Sequence, residues 1–408
     1  MQSDKNRGIT LIALVVTIIV LLILAGISIA MLTGQNGILN RAQEAKEKTE
    51  TVQEDENQKL QGYEDIINKY RDLPKEEGTT PYLPNDTFSY KEGDLSTGLV
   101  IKDENNNEYV WVEVPRTTKV YTTAGIDITN FTDENYSKIE MDLKEYTKDY
   151  RDSSYSDTNI DFIIQYKNML KSVYTNGGFW IGRYEAGYEV DESKGENVRD
   201  YGEDYYTEYT IPQKVVIRKN AYPYNWVRRD QAQKLAQEMN YEECRGSLIF
   251  GIQWDLILKY IEENMVNETD IKNKLTSNSS TIGNYLDSEF ILSRGKFAQY
   301  KTLSNWFNYD SKEKTDLVVG GKKKSQSLDS NAILLTTGAT DATNLQNIYD
   351  IAGNVREWTL EFFDDENPCT SRGGSYVNEG SGLPAKGHHN DVTSLSGYNI
   401  GFRVGLWK

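Results

Sequence analysis

The distribution of hydrophobic residues separates the N-terminal part of the chain from the rest. Residues 9–32 form an uninterrupted apolar run without a charged side chain. This run is long enough to cross a bilayer as a helix, and we predict a transmembrane helix here. A cleaved signal peptide is the alternative, although its apolar region is usually shorter and ends at a small-residue cleavage site.

Beyond this run the chain becomes polar but keeps apolar residues at loosely helical spacing as far as residue 70. Neighbouring opposite charges such as Glu44 and Lys48 favour an exposed helix, so residues 9–71 are predicted as a membrane helix continued by a stalk. A solvated helix without a specific partner explains the polar part equally well. Three prolines and a glycine then predict a linker over residues 72–87.

The alternation of short apolar segments with polar turns predicts an α+β domain over residues 88–408. The predicted strands are 99–101, 109–112 and 333–335, and the predicted helices are 160–173, 230–239 and 257–265. Two polar stretches, 116–156 and 267–324, are predicted as insertions, the first with little regular structure.

Charge and cysteine content exclude some classes of function. The chain has 408 residues, with 45 basic and 62 acidic side chains and a net charge of -17. Nucleic-acid binding depends on clustered Lys and Arg, so we expect no nucleic-acid partner. Two cysteines, Cys244 and Cys369, are too few for a disulfide framework, and their pairing with each other is left open. The 28 tyrosines are compatible with a recognition surface and equally with ordinary exposed β-sheet.

The junction before the apolar run resembles a type IV prepilin leader of class III. Residues 5–8 read Lys-Asn-Arg-Gly and are followed at once by Ile-Thr-Leu-Ile. The resemblance implies a leader over residues 1–8, cleavage by a prepilin peptidase between Gly8 and Ile9, and methylation of the new N-terminus. It also implies a protein anchored in the cell membrane at the cell surface, with its C-terminal domain outside and other pilin subunits as partners.

One position departs from the pilin pattern. Pilins usually carry Glu as the fifth mature residue, where it neutralises the N-terminal amine of a neighbouring subunit, and here that position is Ala13. Because a buried unpaired amine is costly, we expect a minor or tip subunit, or a simple anchor, instead of a bulk filament subunit.

Three motifs near the C-terminus, called the closing motifs, occupy residues 350–358, 371–376 and 400–404. Together with the segment at 177–185, their order resembles the formylglycine-generating-enzyme/sulfatase-modifying-factor family. The resemblance implies a C-type-lectin-like fold for residues 88–408, with the second and third motifs as paired terminal strands.

Several charged and aromatic residues of these motifs are expected to be structural. The resemblance implies a buried or half-buried pair of Arg183 with Glu185. Arg372 and Arg403 are expected to bind carboxylates or carbonyls within the fold, and the aromatic residues of the motifs are expected in the core, namely Trp358 and Phe402.

The first closing motif resembles a calcium-binding segment of the family. By this resemblance Asp350 and Glu357 would supply carboxylates, and Gly353 and Val355 would supply main-chain carbonyls. Hard oxygen ligands with two carboxylates suit calcium. The alternative is a tight turn in which the polar side chains only satisfy backbone groups.

The catalytic residues of the family are missing. Its oxidases use two cysteines at positions that are Asn378 and Leu383 here, so the required thiolate is absent. Its iron-dependent members need three histidines, whereas this chain has two, the adjacent His388 and His389. We therefore predict a protein that is not an enzyme, although fold alone does not decide function.

The segment 377–399 is rich in Asn, Ser, Gly and His, and loops on a rigid scaffold commonly carry recognition. We predict that it contacts an extracellular protein or glycan, as in an adhesion protein. Similar lectin-like domains are variable proteins of diversity-generating retroelements, in which this terminal segment is diversified. An inert loop, a structural pilus or secretion subunit and an uncharacterised enzyme are the alternatives. The predicted ligand-contacting residues are Tyr376, Asn378, Glu379, Ser381, His388, His389, Asn390, Asp391, Ser394 and Tyr398.

Overall fold

A computed structural model describes residues 5–33, helical positions between 41 and 56, and residues 73–191 except 160. It also describes residues 193, 198, 214–299, 306–310, 318–319, 323–324 and 332–408. The chain divides into two compact units, residues 1–70 and 71–408.

The first unit contains the predicted N-terminal helix. Helix α1 comprises Lys5–Thr33 and so includes Gly8 and Ile9. The side chains of residues 13–28 are described; nearly all are apolar and exposed. Further helical residues, including 41–43 and 51–53, lie in the predicted stalk. Among the described residues, no helix is both long enough and apolar enough to cross a membrane.

The second unit contains five further described helices and twenty described strands. The helices are α2 (Asp133–Tyr146), α3 (Ile163–Asn176), α4 (Arg229–Gln237), α5 (Gly251–Asn264) and α6 (Ile271–Thr276). The first ten strands are β1 (Ser89–Glu92), β2 (Val100–Lys102), β3 (Glu108–Glu113), β4 (Gly178–Gly182), β5 (Gly187–Tyr188), β6 (Tyr222–Pro223), β7 (Arg245–Leu248), β8 (Phe290–Ile291), β9 (Lys296–Gln299) and β10 (Trp306–Asn308). The others are β11 (Val318–Val319), β12 (Lys323–Lys324), β13 (Ile333–Leu335), β14 (Asn344–Leu345), β15 (Ile348–Tyr349), β16 (Arg356–Thr359), β17 (Cys369–Arg372), β18 (His388–Asp391), β19 (Ile400–Phe402) and β20 (Val404–Trp407).

The described part of the predicted linker, residues 73–87, packs on the domain. The Thr80 N–H donates to the Asn176 carbonyl at 2.8 Å. The indole N–H of Trp111 donates to the Thr79 hydroxyl at 3.0 Å, and that of Trp180 to the Tyr82 carbonyl at 2.8 Å. The domain therefore includes residues that we predicted as linker.

The largest sheet of the second unit has six strands in the order β1-β2-β3-β4-β20-β7. Strands β3 and β4 are buried along almost their whole length, which explains their nearly continuous apolar sequences. Helix α3 packs on β4 and β20, α5 on β3, and α4 on β7. The predicted strands at 99–101 and 109–112 are confirmed as β2 and β3. The predicted helices are confirmed as α3, α4 and the C-terminal part of α5, with shifted ends.

A second sheet of four strands has the order β18-β17-β16-β19. Strand β16 pairs with β17 antiparallel and with β19 parallel. The prediction that the second and third closing motifs pair with each other is therefore wrong, because β16 lies between them. Arg403 separates β19 from β20, which pairs with β4 and β7, so the last motif belongs to both large sheets.

Buried arginines hold the motifs together. The side chains of Arg403 and Glu357 are 0% and 1% exposed, and Nη2 of Arg403 donates to Glu357 at 2.6 Å. The same guanidinium donates to the carbonyls of Gly182 (3.0 Å) and Tyr349 (2.8 Å). The predicted structural role of Arg403 is confirmed, and Trp358 and Phe402 are fully buried as predicted.

The predicted pair of Arg183 with Glu185 is wrong, although both residues are buried. Arg183 donates to Glu108 at 2.9 Å and also contacts Glu92. Glu185 accepts from the side chain of Asn354 at 2.7 Å and the main chain that follows it. The chain bends at residues 183–184, after β4, so the two side chains have different partners.

Regular structure occurs in both predicted insertions. Within 116–156, α2 begins after Thr132, whose hydroxyl accepts from the Asn135 N–H at 3.3 Å, and Asp133 and Glu134 lie in its first turn. Our prediction of little regular structure there is wrong, because the Thr132 cap and the two acidic residues of the first turn stabilise a helix. The stretch 267–324 contains α6 and the short strands β8 to β12.

Candidate functional site

The segment after the second closing motif is fixed to the domain by its main chain. The Gly380 N–H donates to the carboxylate of Asp287 at 2.8 Å, and the Gly380 carbonyl accepts from the Ser279 N–H at 3.0 Å. The Ala385 N–H donates to the Ser279 hydroxyl at 2.9 Å, and the Lys386 N–H to the Leu275 carbonyl at 3.1 Å. The candidate surface therefore has a rigid base.

Part of this segment is a strand where we predicted a loop. Strand β18 pairs antiparallel with β17 in a regular register from Cys369 opposite Asp391 to Arg372 opposite His388. The sequence His-His-Asn-Asp has no apolar alternation, so its strand structure comes from pairing with β17 and not from local preference.

The predicted ligand-contacting residues differ in exposure. Four are exposed, namely Glu379, Ser381, His389 and Ser394. Three are partly buried, namely Asn378, His388 and Asn390. Three are buried, namely Tyr376, Asp391 and Tyr398.

The three buried residues are a correction to the predicted site. Tyr376 is 0% and Tyr398 6% exposed, and their ring centroids lie 6.2 Å apart within a cluster that includes Trp226 and Val355. Asp391 lies 3.4 Å from Arg356 and 3.2 Å from His389. These three side chains lie beneath the surface and support it. Tyr376 and Tyr398 belong to the core because their rings can pack there.

A pocket of 610 Å³ lies beside the exposed residues. One wall of the pocket belongs to the predicted ligand-contacting segment 377–399 and includes Ser381, Lys386 and His388. The loop at residues 150–155 and the C-terminal end of α6 supply the rest. The volume is within the range of small-ligand sites, and the lining is more polar than usual for such sites.

A buried ion network lies behind His388. Arg372, with a side chain that is 0% exposed, donates to Asp255 at 2.8 Å and to Glu361 at 3.2 Å. Nε2 of His388 lies 3.3 Å from Glu361. The predicted structural role of Arg372 is confirmed, and the network fixes one edge of the pocket.

The network shifts the ionisation of its carboxyl groups. Burial alone would raise the pKa of Glu361, but the charge of Arg372 and the contact with His388 hold this pKa at about 2. Burial raises the pKa of Asp255 despite the opposing charge of Arg372. Arg372 therefore favours the ionised form of Glu361.

Asp157 connects the network to the loop at 150–155. Its carboxylate accepts from the N–H groups of Gly251 (2.7 Å) and Ile252 (2.9 Å) at the start of α5. Burial, together with the charge of Glu361, raises the pKa of Asp157 to about 8. The loop is thus anchored immediately after the residues that line the pocket.

Tyr155 packs directly on the predicted segment. Its ring is stacked on the His388 ring with centroids 4.2 Å apart, and it also packs on Phe363 at 5.0 Å. His388 is therefore held on one side by an aromatic ring and on the other by Glu361.

The pocket wall that faces the predicted segment 377–399 was not predicted from the sequence. Tyr150, Arg151, Asp152 and Tyr155 line the pocket but lie far away in sequence. Their only signal was a Tyr- and Asp-rich composition within the predicted insertion.

A second cavity of 530 Å³ is lined by Gln165, Trp407 and residues between 237 and 247, including Cys244. Burial raises the pKa of the Cys244 thiol to about 12, and burial also raises that of Cys369. Both cysteines are free and buried, so neither is activated as a nucleophile.

The residues of the predicted calcium site are engaged within the protein. Asp350 accepts from the Gly338 N–H and the Thr343 hydroxyl, each at 2.7 Å. Glu357 is paired with Arg403. Within the described residues, no group of three or more His, Cys, Asp or Glu side chains could hold a metal ion.

A calcium ion fits this arrangement poorly, because Arg403 already supplies the positive charge. Burial and the nearby carboxylates of Asp350 and Glu357 raise the pKa of Glu185 well above its usual value. Calcium binding through Asp350, Glu357 and the carbonyls of Gly353 and Val355 was predicted from the resemblance, and the contacts of the two carboxyl groups argue against it.

Comparison with known protein families gives a match in the C-terminal part of the chain. Residues 283–406 match the family described as "Sulfatase-modifying factor enzyme 1-like domain", so this region forms a C-type-lectin-like domain within a mixed helix-and-sheet architecture. The solved structure "Treponema denticola variable protein 1" aligns at 12% identity and a TM-score of 0.27, covering 57% of this chain and 96% of that chain. A likeness at that TM-score carries no argument about fold or function. Comparison with curated proteins gives no match.

Proposed function

We propose that the domain is a non-catalytic ligand-binding module whose binding surface surrounds the 610 Å³ pocket between residues 150–155 and 378–388. The observation that supports this most strongly is the pocket itself, which combines exposed polar residues of the predicted segment with a rigid base. Its polar lining suits an extracellular protein or glycan that is recognised through hydrogen bonds.

Both histidines are held by neighbouring side chains. His388 contacts Glu361 and is stacked on Tyr155, while Nδ1 of His389 lies 3.2 Å from Asp391. These contacts fix the orientation of both rings. The histidines therefore orient the surface.

We infer display at the cell surface from the N-terminal sequence. Cleavage between Gly8 and Ile9 by a prepilin peptidase would leave the apolar part of α1 as an anchor in the membrane. Ala13 favours a minor or tip pilin among other pilin subunits over a bulk subunit. This role explains why a polar recognition domain follows a helix with exposed apolar side chains.

The exposure pattern is compatible with diversification of the terminal segment. Exposed residues such as Glu379 and Ser381 can change without disturbing the core, whereas Arg372 and Tyr376 cannot. Sequences of the same locus from sister strains should vary at the exposed positions and not at the buried ones. An even spread of substitutions would argue against a variable recognition surface.

Binding of the full-length protein in detergent to panels of glycans and peptides tests the proposed function. Ser381→Arg places a bulky charged side chain in the pocket wall and should reduce binding at least tenfold. Ser137→Arg, on the exposed face of α2, is the matched control and should bind as the wild type does. Equal binding by both variants would reject the pocket as the binding surface.

A further inference from the structure

Exposed sheet edges can pair with another chain, and most edges of the two large sheets are protected. On the outer side of β7, the N–H groups of Gly246 and Leu248 donate to the side chains of Asn240 and Gln233, each at 2.8 Å. At the edge formed by β19, the Phe402 carbonyl accepts from the Ala186 N–H at 2.8 Å. Polar groups at both edges are therefore already bonded within the domain.

Strand β1 is protected in a different way. Its register with β2 shifts between Tyr90 and Glu92, which marks an irregularity of the β-bulge type. Bulges and charged side chains such as those of Lys91 and Glu92 are common means of preventing edge pairing.

Within the described residues, β18 has no bulge, and its one acidic side chain, Asp391, is buried beside Arg356 and does not guard the outer edge. Its four residues keep an unbroken register with β17, and the described backbone hydrogen bonds outside strand ladders include none from residues 388–391. In an edge strand, alternate residues direct their N–H and C=O groups away from the neighbouring strand. The side chains of His389 and Asn390 on this strand are exposed and partly exposed.

Pockets lie at both ends of β18. The 610 Å³ pocket includes His388 at its start. A further pocket of 410 Å³ is lined by Thr393 and Ser394, just after its end, together with residues 228–230 and Cys369. At about 3.3 Å per residue, an extended segment of about six residues would reach from one pocket to the other.

The charges at the first pocket indicate which segment fits. Arg151, Lys386 and Asp152 line it, so two cationic side chains face one carboxylate, and neither cation forms an ion pair with another described residue. A positively charged pocket attracts an acidic group, and the strand edge supplies main-chain hydrogen bonds.

We propose that β18 is a docking edge for an extended segment of a partner polypeptide, with an acidic side chain seated beside Arg151 and Lys386. The inference rests on the proposed function, since it identifies the ligand of the same surface as a polypeptide bound by strand addition. The partner main chain continues the β18-β17-β16-β19 sheet, and its side chains reach the two pockets.

The test begins with random twelve-residue peptides displayed on phage and selected on the immobilised full-length protein. Selected peptides should contain an acidic residue, and the double variant Arg151→Glu/Lys386→Glu should bind them at least tenfold more weakly. Lys75→Glu is the control, because Lys75 is exposed and lines none of the described pockets.

Methylation of single peptide amides then tests strand pairing. Blocking alternate amides should weaken binding by about tenfold, because each such amide donates to β18, while blocking those in between should have little effect. Tolerance of methylation at every position would overturn strand addition but leave the proposed function intact, provided that Ser381→Arg still prevents binding. Binding that survives Ser381→Arg would reject the proposed function itself.

Two further outcomes would overturn the inference. Selection of glycans but no peptide by the full-length protein would show a different ligand class. Concentration-dependent dimers that are lost when β18 is altered by Asn390→Pro would show that a second copy of this chain occupies the edge.

Discussion

Replacing Arg372 by methionine should leave two carboxyl groups buried without their cation. The side chains of Arg372, Asp255 and Glu361 are 0%, 4% and 6% exposed, so water cannot take the place of the guanidinium. Removing one partner of a buried pair typically costs about 3–5 kcal/mol.

The ionisation of Glu361 gives an independent magnitude. Without Arg372, Glu361 would escape its charge by binding a proton on folding. Protonating a carboxyl group of usual pKa 4.5 at pH 7 costs about 3.4 kcal/mol, because each pH unit above the pKa costs about 1.4 kcal/mol. The two routes agree, so we expect Arg372→Met to lower the free energy of unfolding by about 3–4 kcal/mol at pH 7.

Urea unfolding followed by tryptophan fluorescence measures this loss, since Trp254 lies against Arg372 with the guanidinium 5.7 Å from its ring. The loss should shrink as the pH falls towards 4.5, because protonation of the freed carboxyl then costs less. Arg245→Met, at an exposed position of β7, is the control and should change stability by less than about 0.5 kcal/mol. A loss below about 1 kcal/mol, or one that does not depend on pH, would refute the reasoning.

Three other predictions concern Asp157, calcium and the N-terminus. The raised pKa of Asp157 means that the folded protein binds a proton at this carboxyl group more tightly than the unfolded chain does, so the contribution of Asp157 to stability is present below about pH 4 and lost by about pH 8. Asp157→Asn should remove this decrease of the unfolding free energy with rising pH, as measured by urea unfolding at several pH values. An unchanged pH dependence in the variant would contradict the prediction. Calcium or a chelator should leave the melting temperature unchanged, whereas a rise with calcium would support the predicted site at Asp350 and Glu357. N-terminal sequencing of membrane-extracted protein should begin at Ile9, and an intact Met1 would exclude prepilin processing.

The sequence predicts the buried framework of the domain well. Strands β2 and β3 carry apolar runs between polar turns, and Trp358, Phe402, Arg372 and Arg403 lie in motifs with a known order. These features depend on local sequence patterns, and the pattern of apolar residues indicates which positions are buried.

The candidate site is predicted less completely because it depends on contacts between distant segments. No local pattern indicates that Tyr155 stacks on His388, or that Asp157 binds the start of α5. Polar composition indicated exposure for Tyr376 and Tyr398, although each has a ring that packs in the core. Strand β18 has little strand preference of its own and forms by pairing with β17.

Hydrogen–deuterium exchange of the full-length protein, with and without a selected peptide or glycan at saturating concentration, tests the proposed binding surface most directly. We predict slower exchange in residues 150–155 and 378–394 and no change in residues 240–247, which line the 530 Å³ cavity. Protection confined to residues 240–247, with none at 150–155 or 378–394, would contradict the proposal that the terminal segment and its facing loop form the binding site.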